Sequence, residues 1–112
     1  KSGTFYEVDA SGNKHTRIVG TNYEVIAGSD FVNVKGTANL TIDSNCNTYI
    51  KGNWNIQVDG TKTEVVTGAV SETYKSTKTE NVTGAVQETF SSTQTTNVSS
   101  NVTITGSRID LN

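Results

Sequence analysis

From Ile18 to Val98 every eighth residue is apolar: Ile18, Ile26, Val34, Ile42, Ile50, Val58, Val66, Tyr74, Val82, Phe90 and Val98. These eleven positions keep their register without a slip. Two residues after each stands a small one: Gly20, Gly28, Gly36, Ser44, Gly52, Gly60, Gly68, Ser76, Gly84, Ser92 and Ser100. Seven of the ten glycines in the chain fall in that column. A fixed period marks a repeat architecture. An octad is too short for a helical repeat but fits one β-strand plus one corner, so the chain reads as all-β. The corner is expected at the small column, where Gly reaches positive φ without a Cβ clash. The residue after it is Thr, Ser, Asn or Ala, which suits a turn.

The rest of each octad should be strand, with side chains alternating between faces. Counting back by twos from the apolar column gives the inward rows. One holds Val32, Leu40, Thr48, Ile56, Glu64, Glu72, Glu80 and Glu88; another holds Ala38, Cys46, Trp54, Lys62, Val70, Lys78 and Val86. The opposite parity carries Asn39, Asn47, Asn55, Thr63, Thr41, Tyr49, Gln57, Thr73 and Asn81, a face nearly all short and polar and suited to water. A longer repeat overlies the first. Val66-Thr67-Gly68-Ala69-Val70-Ser71-Glu72-Thr73 returns as Val82-Thr83-Gly84-Ala85-Val86-Gln87-Glu88-Thr89, so octads with Val alternate with octads with an aromatic. Alternating small and large inward residues fill a narrow interior.

Only 32% of the 112 residues are apolar, too few for a chain of this size to close its own core. The strict period and the β-branched content argue against disorder. The expected resolution is a core shared between copies. One octad spans roughly 26 Å extended, less its corner, so three octads close a triangular turn. A lone chain would make only about three and a half such turns and leave strand edges open. Three copies interleaved as a homotrimer would share the apolar column along one axis. Such an intertwined form should unfold slowly and resist detergent. The shaft is expected over residues 18–101, and stacking its octads gives a prism roughly 50 Å long.

Other features exclude function classes. Net charge is −2 and spread along the chain, with no basic stripe for nucleic acid. No apolar run approaches the roughly 20 residues of a membrane span, and no signal peptide is visible. With no Met, the chain reads as a fragment or a processed product. Cys46 is the one cysteine and no intrachain disulfide can form; it reads as a small buried side chain. A catalytic thiol would want a His partner, and His15 lies about four octads away in sequence. Inward parity makes Trp54 a core filler rather than a sugar platform. No nucleophile–base pair, metal-ligand cluster or cofactor motif occurs, so no enzyme, metal or cofactor is expected.

The row Glu64, Glu72, Glu80 and Glu88 admits two readings: a cation channel, or carboxylates paired with Lys62 and Lys78 two residues earlier on the same face or simply solvated, with water or ions inside a wider mid-section as a compromise. Stacked unpaired carboxylates in a closed interior cost too much, which favours pairing. A glycosidase pair would need a cleft, which a closed prism lacks.

Residues 1–17 read differently. Thr4–Val8 and His15–Val19 have strand patterns around a loop rich in turn residues, Asp9–Asn13, giving a β-hairpin or collar. Tyr23, Val25 and Phe31 place apolar groups at outward parity, expected only in the early octads, where further strands or an upstream domain would cover them. After Phe90 there is no aromatic, and residues 102–112 form a C-terminal tip with Ile104, Arg108, Ile109, Asp110, Leu111 and Asn112.

Tandem V-x-G octads, with the ending Val102-Thr103-Ile104-Thr105-Gly106-Ser107-Arg108-Ile109-Asp110-Leu111-Asn112, resemble the C-terminal β-helix of baseplate spikes in T4-like contractile phages. The likeness covers roughly residues 18–112 and extends to type VI secretion spike proteins, which share that fold. It implies an intertwined trimeric β-helix prism that pierces the host outer membrane mechanically. It implies hub proteins of the baseplate at the N-terminal end, with a lysozyme domain upstream. At the other end it implies a conical PAAR-type tip protein docked on residues 102–112. The place of such a protein is the phage tail baseplate of the virion. A type VI secretion spike is one alternative, and a fibre segment that binds a receptor sugar is another. A receptor fibre should end in a head with exposed aromatics, and this chain does not.

Overall fold

Two short strands pair near the N-terminus, and they owe their register to one carboxylate. The structure is a computed structural model and describes residues 3–112. It divides into two units, Lys1–Ile56 and Gln57–Asn112, taken in turn.

In the first unit, β1 (Phe5–Val8) and β2 (Lys14–Arg17) form an antiparallel hairpin, with Phe5 opposite Arg17 and Val8 opposite Lys14. β1 starts one residue later than its sequence pattern, and β2 starts one earlier and stops at Arg17. Asp9 builds the loop. One of its carboxylate oxygens accepts the backbone N–H of Ser11 at 2.9 Å and of Asn13 at 3.0 Å. The other accepts the Asn13 side-chain amide at 3.1 Å and lies 3.2 Å from His15 Nε2. Gly12 N–H closes the turn on the Asp9 carbonyl at 3.1 Å, with Gly12 at φ 82°, the left-handed region that a side chain disfavours. The Asn13 bonds, foremost among these, hold the Asp9 carboxyl below its usual value of 3.8. Lys14 lies diagonally over the Tyr6 ring, 5.2 Å from its centre.

Past the hairpin the backbone bends at 19–20, 27–28, 35–36, 43–44 and 51–52, with extended segments between. In the second unit the bends fall at 59–60, 67–68, 75–76, 83–84, 91–92 and 99–100, followed by one at Ser107. Each of these eleven octad bends ends on the small column. The φ angles differ from expectation, however. Among the described residues only Gly3 and Gly12 have positive φ, so Gly60 and Gly68 do not bend through the left-handed region. A Cβ added to any of the seven column glycines meets nothing within 4 Å. The four serines of the column already carry that atom, so the bend itself asks for a small residue rather than for glycine.

The octads make no sheet within the chain. Among the described residues β1 and β2 are the only strands, and no backbone–backbone hydrogen bond forms beyond the hairpin and its loop. No described residue is buried. The accessible surface is 12567 Å². A folded monomer of 12.0 kDa presents about 6,000 Å². The chain therefore carries roughly twice the surface that a self-sufficient domain of its mass would keep.

Candidate assembly surface

Bends at a constant eight-residue interval sort the apolar residues into three classes. The column from Ile18 to Val98 is the most sheltered, between 39% and 59% exposed. Apolar members of the inward rows, among them Val32, Leu40, Trp54, Ile56, Val70 and Val86, lie between 61% and 84%. Residues of outward parity, Tyr23, Val25, Phe31, Tyr49 and Val65, lie between 83% and 94%. Tyr49 and Val65 extend the outward apolar set past the early octads, a correction to the expectation that it ends there. The column is thus the part of the chain that its own backbone half covers, and it still has a large remainder to bury.

Extended backbone puts residues i and i+2 on one face, and the polar contacts follow that spacing. Lys62 Nζ meets Glu64 Oε1 at 2.8 Å, and Lys78 Nζ meets Glu80 Oε1 at 2.6 Å. Hydrogen bonding and opposite charge within each pair raise both lysines above 10.5 and lower both glutamates below 4.5. Two members of the acidic row are therefore neutralised by the lysine two residues earlier. Glu72 is held differently: Tyr74 donates its hydroxyl to Oε2 at 2.9 Å. That bond, with the negative charge of Glu72, pushes the Tyr74 phenol above 10.0. Lys78 also sits over the Tyr74 ring, 5.2 Å from its centre. Glu88 has no such partner among the described residues, because Phe90 replaces the tyrosine. Cys46 is exposed in the single chain, its Sγ 3.9 Å from the Thr48 hydroxyl. Trp54 is likewise uncovered.

At the tip, Arg108 donates from Nε to Asp110 Oδ1 at 2.9 Å, with both side chains largely in solvent. Ile104, Ile109 and Leu111 are exposed, as is Asn112. Gly106 occupies the position where the next apolar column residue would fall, so the column ends at Val98. Among the described residues His15 pairs with one acidic group, Asp9. No group of three or more His, Cys, Asp or Glu residues placed to hold a metal occurs among the described residues. Among the described residues no helix is long and apolar enough to cross a membrane.

The organising role of Asp9 and the bond from Tyr74 to Glu72 went unread in the sequence. Asp at the head of a Ser-Gly-Asn loop signals the first, and a tyrosine two residues after a glutamate signals the second. Compared with known proteins, the chain matches no family model, no curated protein and no solved structure.

Proposed function

We propose that this chain is one strand of a homotrimeric β-helix shaft, the membrane-piercing spike of a contractile phage tail baseplate. The observation that carries the reading is the coincidence of two unmet needs along one eight-residue period. Among the described residues the backbone between the bends has no backbone hydrogen-bond partner, and the apolar column is left about half exposed. Backbone groups taken from water without partners are costly, so whatever covers the column must also supply a ladder. Copies of the same chain do both, because they carry the same period. Pairing them would bury roughly 6,500 Å² per chain if each reached the surface of an ordinary folded protein of its mass.

The outward parity explains the mode of action. Its rows are mostly Asn, Thr, Ser and Gln; Tyr23, Val25 and Phe31 stand together near the N-terminal end, and Tyr49 and Val65 stand singly beyond them. A membrane-resident barrel needs a continuous apolar belt, which these rows do not form. Such a shaft passes through a bilayer without settling in it, driven when the sheath contracts. Baseplate hub proteins hold the end that carries the hairpin. The exposed apolar groups Ile104, Ile109 and Leu111, beside the Arg108–Asp110 pair, receive a PAAR-type tip protein.

The test is capture of the candidate tip protein by the full chain and by a truncation after Thr103. Capture by the full chain alone supports the docking role. Equal capture by both overturns it. Particles carrying the truncated shaft should lose infectivity, and full infectivity would overturn the role of the tip in piercing.

A further inference from the structure

Units 66–81 and 82–97 are alike enough to be mistaken for one another. Both run Val-Thr-Gly-Ala-Val and then carry a glutamate at the same place, Glu72 or Glu88. Two copies could pair one unit against the other, two octads out of register, with every Val, Gly and Ala still matched. Overlap at the chain ends opposes such a slip only after pairing has spread that far.

The side-chain contacts separate the two units. In 66–81, Glu72, Tyr74, Lys78 and Glu80 form one connected set: hydroxyl to carboxylate, ammonium over ring, ammonium to carboxylate. In 82–97 the same positions hold Glu88, Phe90, Gln94 and Thr96, with no contact among them in the described residues. The other Lys–Glu pair, Lys62–Glu64, stands sixteen residues before Lys78–Glu80.

From this we infer that the two Lys–Glu pairs and the Glu72–Tyr74 bond are a register key between copies of the chain. This rests on the shaft reading above. In register, like pairs meet at one level, and each lysine has carboxylates of its own and of neighbouring copies around it. A slip of one octad sets Lys62 beside Val70 or Trp54, and Lys78 beside Val86 or Val70. A slip of two octads matches Lys62–Glu64 of one copy with Lys78–Glu80 of the next, but leaves the first copy's Lys78–Glu80 beside Gln94 and Thr96 and the second copy's Lys62–Glu64 beside Cys46 and Thr48. Either slip leaves charged groups in the shared interior facing neutral or apolar ones, which such an interior penalises. A few polar side chains among apolar layers fix register in the same way in coiled coils.

Cys46 reads the register directly. In-register copies bring three Cys46 thiols to one level of the inward parity; a two-octad slip places Cys46 against Lys62. The 112-residue chain is refolded from denaturant and treated with a short bis-maleimide, and its mass is measured by light scattering. Wild-type chain should be a trimer in which crosslinked pairs approach about two-thirds of the chains. The variant Lys62→Gln, Glu64→Gln, Lys78→Gln, Glu80→Gln should remain a trimer with several-fold less crosslinking. A second variant, Phe90→Tyr, Gln94→Lys, Thr96→Glu, keeps every native pair but removes the mismatch of Lys78–Glu80 in the two-octad slip, leaving only Lys62–Glu64 against Cys46 and Thr48; its crosslinking should fall as well. If the second variant crosslinks like the wild type, the key is overturned, whether or not the first one assembles. A wild-type trimer without Cys46 crosslinks overturns the key and leaves the shaft reading standing. A wild-type monomer overturns the shaft reading and the key with it.

Discussion

Replacing Ile50 by alanine separates a chain that stands alone from one whose column is shared. Ile50 lies at mid-column and is 44% exposed. If the single chain were the final state, the substitution would delete a side chain already half in water, costing about 1 kcal/mol. If copies close over the column, the same change empties part of a packed core, which costs about 2–5 kcal/mol for isoleucine to alanine in each copy. Three copies place three such losses at one level. The control is Val65→Ala at outward parity, where Val65 is 87% exposed and the change should stay within about 0.5 kcal/mol. Guanidinium unfolding followed by circular dichroism, at several protein concentrations, gives both numbers. It also shows whether the midpoint rises with concentration, as an assembled native state requires. A loss of about 1 kcal/mol or less for Ile50→Ala, at a midpoint independent of concentration, would refute the shared column.

The glycines divide by backbone conformation: Gly12→Ala should cost about 1–2 kcal/mol, because Gly12 sits at φ 82°. Gly68→Ser should stay within about 0.5 kcal/mol, as serine already fills four positions of that column; thermal melting of both variants compares them. The Lys–Glu pairs set a pH window. Glu64 and Glu80 are depressed, so their contribution is present above 4.5 and is lost as pH falls through the lowered values. Lys62 and Lys78 are raised, so theirs is present below 10.5 and is lost as pH rises through the raised values. Stability at low salt should therefore hold level between those limits and fall outside them; Lys62→Gln with Glu64→Gln should flatten both edges, and an unchanged profile would remove the pairs from the account.

Periodicity carried much of this into view before any coordinates. The octad located every bend because a small residue at fixed spacing acts locally, through its own backbone. Period-two parity anticipated Lys62–Glu64 and Lys78–Glu80 for the same local reason. The conformation of the bends was misread, although Ser44, Ser76, Ser92 and Ser100 argued against a left-handed corner from the start. Contacts that depend on side-chain reach, such as Tyr74 to Glu72 or Lys78 over the Tyr74 ring, have no signature in hydropathy. Strand pairing in the octads is not found inside the chain, since among the described residues the backbone groups from one bend to the next have no backbone partner. The proposed homotrimer rests on the resemblance and the unmet surface together, and the hub and tip proteins on the resemblance alone.

The central claim is that this chain completes its fold only with two further copies of itself. Sedimentation equilibrium of the purified chain, without crosslinker, measures that directly. The account predicts a single species of about 36 kDa, three times the 12.0 kDa of the chain. A species of 12.0 kDa at every concentration would contradict it.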